Sequence, residues 1–397
     1  MSNGTGPTPT PSPPAPITRK DGQAGPNRPN AIHATIKTAS LTVTVKNPKG
    51  VALKDVEVEV VGTAKKNTAA DGTAKFDAVP ADTPLNIKAR KTDYGPVPPA
   101  GQPVVPGEAV VNQTFTKGQA AAVPMQLQAN YKVDLVVQKV TLTLKHDNQS
   151  NLEVKVTPTD AVVDQYRIEI TRASAVAWAA IQNVQKLTPW TAKIAGKFKL
   201  RGVAKIEGND VLSTEKDMEV QFPTYPQITG DAGVQTALNA EWTSTLADCT
   251  SAPTNQRREH GFWINLNTTS NAYEFGATVF GAFSGPAGGA AVNLPPRPAD
   301  VPATPAATDA GATYPVASFH AHTAAEFRAA AFPAGSTRVV GPSGADNNAD
   351  NNDDVPGVVY DFIESPAGSG NIPMGHPKAS PAKLYFSAGK TRRTTPP

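Results

Sequence analysis

Between residues 38 and 94, apolar positions alternate with polar ones. Leu41, Val43 and Val45 alternate with Thr42, Thr44 and Lys46, and Val56, Val58 and Val60 with Glu57, Glu59 and Val61. This period of two predicts strands that bury one face. Asn47-Pro-Lys-Gly50 and Asp71-Gly72 supply turns, the second ahead of a strand at Thr73–Phe76. A Pro-rich loop is expected over 95–112, with a closing strand in Thr114–Leu127. The same signal returns over 129–228. Val133, Leu135 and Val137 lead into Val140, Leu142 and Leu144, followed by Leu152, Val154 and Val156, then Ile168 and Ile170. Phe198, Leu200 and Val203 rise toward Ile206, and Met218–Phe222 reads as a last strand. The spacing predicts two all-β sandwiches in succession.

Near Gln227–Gly233 the period changes. Val234, Leu238, Trp242 and Leu246 recur every four residues, one face of an amphipathic helix, with Cys249 near its end. Strands are expected at Arg258–Ile264, at 314–322, at Val355–Phe362 and at Leu384–Phe386, and Tyr273–Phe283 reads as a second apolar segment. A long Pro, Ala and Gly loop fills 284–312, a helix is expected at Ala324–Ala331, and a loop runs from there to Pro342. Interleaved helices and strands predict an α+β domain. The organisation read from the sequence is therefore a Pro-rich tether over 1–37, sandwiches over 38–128 and 129–228, an α+β domain over 229–390 and a disordered tail over 391–397.

Composition narrows the function classes. At 397 residues the chain has room for two or three domains of ~150 residues. Its net charge of +3 is well mixed, which argues against a nucleic-acid binder with its basic stripe. The basic end Lys390-Thr-Arg-Arg393 reads as solvated. With Cys249 as its one cysteine the chain can form no internal disulfide, so any metal site must draw on His and carboxylates. No apolar run approaches the ~20 residues of a membrane span. The Ser, Gly, Thr and Pro of the first residues form no hydrophobic signal segment.

The chemistry concentrates late in the chain. His320 and His322 end the short apolar run Tyr314–Phe319. Two imidazoles one residue apart on an extended segment point to the same side. A carboxylate from a following turn would complete a three-ligand site with one open position, as a catalytic zinc requires. Ser343-x-x-Asp346 places Ser343 at a helix N-cap and Asp346 in the first turn, and Glu259 lies in an upstream strand. Each feature has an ordinary reading: a chance histidine pair, a capping box, a surface ion pair beside Arg258. Asp346–Asp354 is also rich in oxygen ligands, as calcium loops are, yet the glycine expected at the sixth position is Asn351 or Val355 in the two registers. His33, His146 and His376 read as surface histidines.

Two family resemblances attach to these residues. "VTVKNPKGVALKDVEVEV…TAADGTAKF" resembles the prealbumin-like sandwich of carboxypeptidase regulatory-like domains, which serve as spacers; the second sandwich resembles an immunoglobulin-like one. The order glutamate, His-x-His, Ser-x-x-Asp resembles the JAB/JAMM metallopeptidases, with "REHGFWI", "YPVASFHAHT", "GPSGAD" and "VPGVVYDF" similar to a branch found in bacterial polymorphic toxins. The resemblance covers roughly 228–390 and implies a cytidine-deaminase-like α+β fold. It implies that His320, His322 and Asp346 bind one zinc ion. It further implies that Glu259 activates the attacking water and that Ser343 stabilises the tetrahedral intermediate. Ala321 stands where the family commonly has Ser or Thr, Thr323 where it often has Pro, and the segment 323–342 is longer than usual. The expected function is a zinc-dependent peptidase or isopeptidase acting on a protein or peptide. It would be a secreted effector or toxin, cytoplasmic in the producing cell before a contractile secretion apparatus exports it. The alternative is a non-catalytic structural or binding protein with a degenerate JAB-like domain.

Overall fold

A computed structural model describes residues 37–175, 177–184, 187–249, 256–285, 289–308, 310–323, 337–362, 371–373 and 383–395. The chain is mostly β-sheet with few helices, and it divides into two compact units.

The first unit falls within Met1–Val45, Ala52–Ala89 and Val110–Met125. One sheet has the order Thr73–Pro80, Thr38–Lys46, Ala120–Gln126; the other has the order Lys65–Asn67, Glu57–Val60, Pro84–Arg90, Glu108–Thr114. The predicted alternation holds, since Leu41, Val43, Val45, Val58 and Val60 are all buried. Two expectations need correction. Glu108–Thr114, placed partly in a loop, is an edge strand that is exposed along most of its length, so it carries no period-two signal. The closing strand begins at Ala120, because a turn at Thr116–Gln119 with Gly118 at φ +75° precedes it.

The second unit opens with another two-sheet sandwich. Lys132–Val137, Gln149–Thr157 and Leu187–Thr191 form one sheet. The other is built around Gly196–Ile206, which pairs Val163–Arg172 on one side and Lys216–Gln221 on the other. A Cβ added at Gly202 would lie 3.2 Å from Val154 and 3.4 Å from Leu135, so the two sheets meet there at full density.

The same unit contains a mixed sheet with strand order Ala272–Phe275, His260–Asn267, Thr313–Ala321, Pro356–Phe362, Lys383–Gly389. Only the Thr313–Ala321 and Pro356–Phe362 pair is parallel. Helix Ala232–Ala247, capped by the Asp231 side chain, covers one face with Val234, Leu238, Trp242 and Thr245. Its ridge follows the predicted four-residue spacing until Thr245 takes the last buried place instead of Leu246. Trp242 meets Tyr360 edge-on at 5.7 Å, and Phe319 lies 5.0 Å from Phe262 and 5.3 Å from Tyr360. A second helix, Gly344–Asn352, packs against Pro356–Phe362 and Lys383–Gly389.

Sandwich and mixed sheet share one continuous core. Buried Tyr314, at the start of the His320 strand, accepts the Ala195 N–H at 3.1 Å and meets Phe222 edge-on at 5.1 Å. The basic end is docked there, which corrects its reading as solvated. Arg393 is 3% exposed, donates twice to Asp300 at 2.7 and 2.6 Å, and stacks over Phe222. A planar guanidinium pairs a carboxylate through two nitrogens and covers a ring at once, which offsets part of the cost of burying a basic residue. The loop expected to reach Pro342 contains a strand, Thr337–Val339, paired with Asn371–Pro373. The helix expected at Ala324–Ala331, along with His33 and His376, lies outside the described residues.

Candidate metal centre

The strand register sets the site. Gly261 pairs with His320 and Trp263 with Ser318, while Ser318 pairs with Gly357 and His320 with Val359. Cross-strand partners share a face. Ser318, His320 and His322 therefore project together, away from helix Ala232–Ala247. Continuing the register one step past the His260–Ala321 and Ala321–Tyr360 pairs puts Glu259 and Asp361 beside His322. Glu259 sits one residue ahead of the strand, not within it as expected, but on the expected face. Gly261, opposite His320, has no room for a side chain, since an added Cβ would lie 2.5 Å from the Phe319 carbonyl oxygen.

Three predicted ligands converge. His320 Nε2 and His322 Nε2 are 3.1 Å apart, and the Asp346 oxygens lie 3.5 Å from His320 and 3.6 Å from His322. A tetrahedral zinc with bonds of ~2.0 Å sets its ligand atoms roughly 3.3 Å apart. The residues fit that ion in donor type and spacing. Among the described residues no other set of three His, Cys, Asp or Glu side chains converges in this way.

Two of the three ligands are held from behind. His322 Nδ1 donates to Asp361 Oδ2 at 3.0 Å, and the same oxygen accepts the Gly341 N–H at 2.8 Å. This leaves His322 Nε2 free to face the cluster, the arrangement that orients metal-binding histidines. Sequence reasoning missed Asp361. The available signal was a lone carboxylate inside the apolar run Pro356–Phe362, where it is now fully buried. Asp346 is fixed by a capping box: the Ser343 N–H donates to Asp346 Oδ2 at 2.6 Å, and Ser343 Oγ accepts the Asp346 N–H at 3.2 Å. Ser343 thus caps the helix as predicted and borders the cluster.

Burial and charge tune these groups. Burial works to raise the Asp346 carboxyl, but hydrogen bonds from His320, His322 and the Ser343 backbone outweigh it and hold it well below the usual range. Burial opposes charge on His322, yet bonds to Asp346 and Asp361 push it up to about 10. Burial raises the Glu259 carboxyl, against the charges of His322 and His320. An upward shift is the direction a carboxylate general base requires. Its Oε2 accepts the Val292 N–H at 3.2 Å.

The stretch Asp346–Asp354, offered as a calcium loop, is mostly helix, and its oxygens diverge. Asp346 turns to the histidines, Asn347 accepts the Gly389 N–H, Asp350 accepts from Ser318, and Asp354 bonds Lys390, Thr394 and Thr395. Calcium needs convergent oxygens, so the calcium alternative is set aside. His146 lies apart from the cluster, 3.0 Å from the Tyr273 hydroxyl, and burial lowers its pKa. Beside His320 and Asp346 a cavity of about 210 Å3 opens between the sheet, helix Gly344–Asn352 and the segment Val292–Leu294. Trp263 Nε1 holds that segment through the Pro295 carbonyl at 3.1 Å. Among the described residues, no helix is long and apolar enough to cross a membrane.

No protein-family model and no curated protein matches the chain. Among solved structures, the Bacillus anthracis TIE protein is similar at 10% identity over 62% of this chain and 42% of its own, with a TM-score of 0.24. A DUF3823 family protein from Parabacteroides merdae is similar at 12% identity over 46% of this chain and 99% of its own, with a TM-score of 0.19. The D0-D1 domain of intimin is similar at 17% identity over 46% of this chain and 95% of its own, with a TM-score of 0.16. The chain thus spans under half the length of the TIE protein. Likenesses this distant assign no chemistry.

Proposed function

We propose that the protein is a zinc-dependent amide hydrolase, a peptidase or isopeptidase. The observation that carries this reading is the convergence of His320, His322 and Asp346 at 3.1 to 3.6 Å. Glu259 stands half-buried on the same face. A zinc ion held by those three side chains would polarise a carbonyl and acidify water. Glu259 would take a proton from the attacking water and return it to the leaving amine. Ser343, at the edge of the cluster, is the candidate donor to the developing oxyanion. Asp361 keeps His322 in the tautomer that presents Nε2.

The finer assignments belong to the same reading: prealbumin-like and immunoglobulin-like sandwiches, then a JAB-like domain. So does the role of a secreted bacterial effector or toxin passed to a target cell by a contractile apparatus, which draws its support from the order of tether, spacer sandwiches and hydrolase. The test is Glu259→Gln in the full-length protein. It should retain zinc and lose hydrolysis of a peptide mixture roughly a hundred- to ten-thousand-fold, the scale of a missing general base. Unchanged hydrolysis in the variant would remove Glu259 as the base; no hydrolysis in the unaltered protein favours a binding role for the domain.

A further inference from the structure

The cavity beside the cluster has a composition that the hydrolytic machinery does not use. Trp263 and Leu294 line it with apolar surface, while Asp350 of helix Gly344–Asn352 and Asp353 at its C-cap line it with carboxylates. Asp350 is 5% exposed. One of its oxygens accepts the Ser318 hydroxyl at 2.6 Å; among the described residues nothing donates to the other. Two small residues clear the space for this carboxylate. Ser318 pairs with Gly357, and a Cβ at Gly357 would overlap the second Asp350 oxygen. Of the charges that reach Asp350, His320 favours its ionised form, while Asp346 and Asp353 oppose it. A buried carboxylate beside like charges, with half its hydrogen-bonding capacity open, is costly unless a cation arrives.

We infer that this cavity is a specificity pocket for a basic side chain flanking the amide that is cut. Its aliphatic stem would lie along Trp263 and Leu294, and its free charge would meet Asp350 and Asp353. The inference rests on the hydrolase reading above and names its substrate class. The cavity's volume equals that of about seven liquid waters at ~30 Å3 each, room for one long side chain. An aliphatic chain ending in an ammonium matches a pocket with apolar walls and an acidic end.

The test titrates zinc-loaded full-length protein with Nα-acetyl-lysine methylamide and, in parallel, with Nα-acetyl-norleucine methylamide, reading binding by ligand-detected NMR. The lysine probe should bind at least about tenfold more tightly, the scale of a desolvated charge pair. Asp350→Asn should bring the two probes close to parity with zinc stoichiometry unchanged, and Asp353→Asn should lower the preference part way. Equal binding of the two probes, or a lysine preference that survives both substitutions, overturns the pocket. Pentapeptides carrying lysine or norleucine at each position in turn, followed by mass spectrometry, separate this inference from the hydrolase reading. Cleavage without lysine preference removes the pocket and leaves the hydrolase. Asp350-dependent lysine binding without cleavage leaves the pocket and removes the hydrolase.

Discussion

Asp361 Oδ2 accepts a hydrogen bond from His322 Nδ1 at 3.0 Å while also accepting the Gly341 N–H at 2.8 Å. One buried oxygen thus ties the second histidine to the chain that enters the Asp346 helix. Asp361→Asn keeps the shape and removes the charge. Zinc affinity, measured by competition with a chelating dye, should fall about 10- to 100-fold, the usual cost of losing such a partner. An unchanged affinity would mean that the contact does not orient the ring.

Zinc binding should release protons. Without metal, His322 is pushed up to about 10, so it is cationic at neutral pH. A metal takes the neutral imidazole, so binding must displace that proton. Apparent affinity should therefore rise with pH, by about tenfold per unit where one proton is exchanged. Calorimetry in two buffers of different ionisation enthalpy at pH 7.5, ~3 units above the unperturbed carboxylate range, counts the protons directly. Zero release would contradict the charge state drawn from these contacts.

Asp350 makes an unusual prediction for a carboxylate. Burial raises it to about 6, while the unfolded chain titrates near ~3.9. The folded state holds the proton more tightly, so this contribution to stability is complete below ~3.9 and is lost as pH rises through about 6. The loss is on the order of 3 kcal/mol. Asp350→Asn should therefore unfold at higher urea than the unaltered protein at pH 8, with the gap closing toward pH 4. A variant that is less stable at pH 8 would show that the carboxylate holds the fold together.

The docked end of the chain offers a separate test of the fold. Arg393 and Asp300 are both nearly buried, with side chains 3% and 8% exposed. Removing one partner strands the other. Arg393→Ala should cost about 3–5 kcal/mol in denaturant unfolding. A cost below ~1 kcal/mol, that of a surface pair, would contradict the burial.

The sequence exposed those features whose signal is local. The alternation of Leu41, Val43 and Val45 and the spacing of Val234, Leu238 and Trp242 each translate directly into a buried face. His320 and His322 were legible as a pair because a strand repeats every two residues. Glu259 depended on pairing across strands, and the register with Ala321 places it on the right face. The rest depends on the tertiary fold. Glu108–Thr114 is exposed along an edge and carries no pattern. Arg393 reads as a solvated cation until Asp300, far back in the chain, is folded against it. Asp350 reads as one of many acids in a polar helix start, and only Ser318 and Gly357 across the sheet show it to be buried.

The central claim is that His320, His322 and Asp346 jointly hold one zinc ion. Elemental analysis of purified full-length protein after dialysis against zinc tests it most directly, with the His320→Ala/His322→Ala double variant treated alongside. The account predicts about one zinc per chain in the unaltered protein and none in the variant, as expected when two of three protein ligands are removed. Full zinc occupancy in the double variant would contradict it.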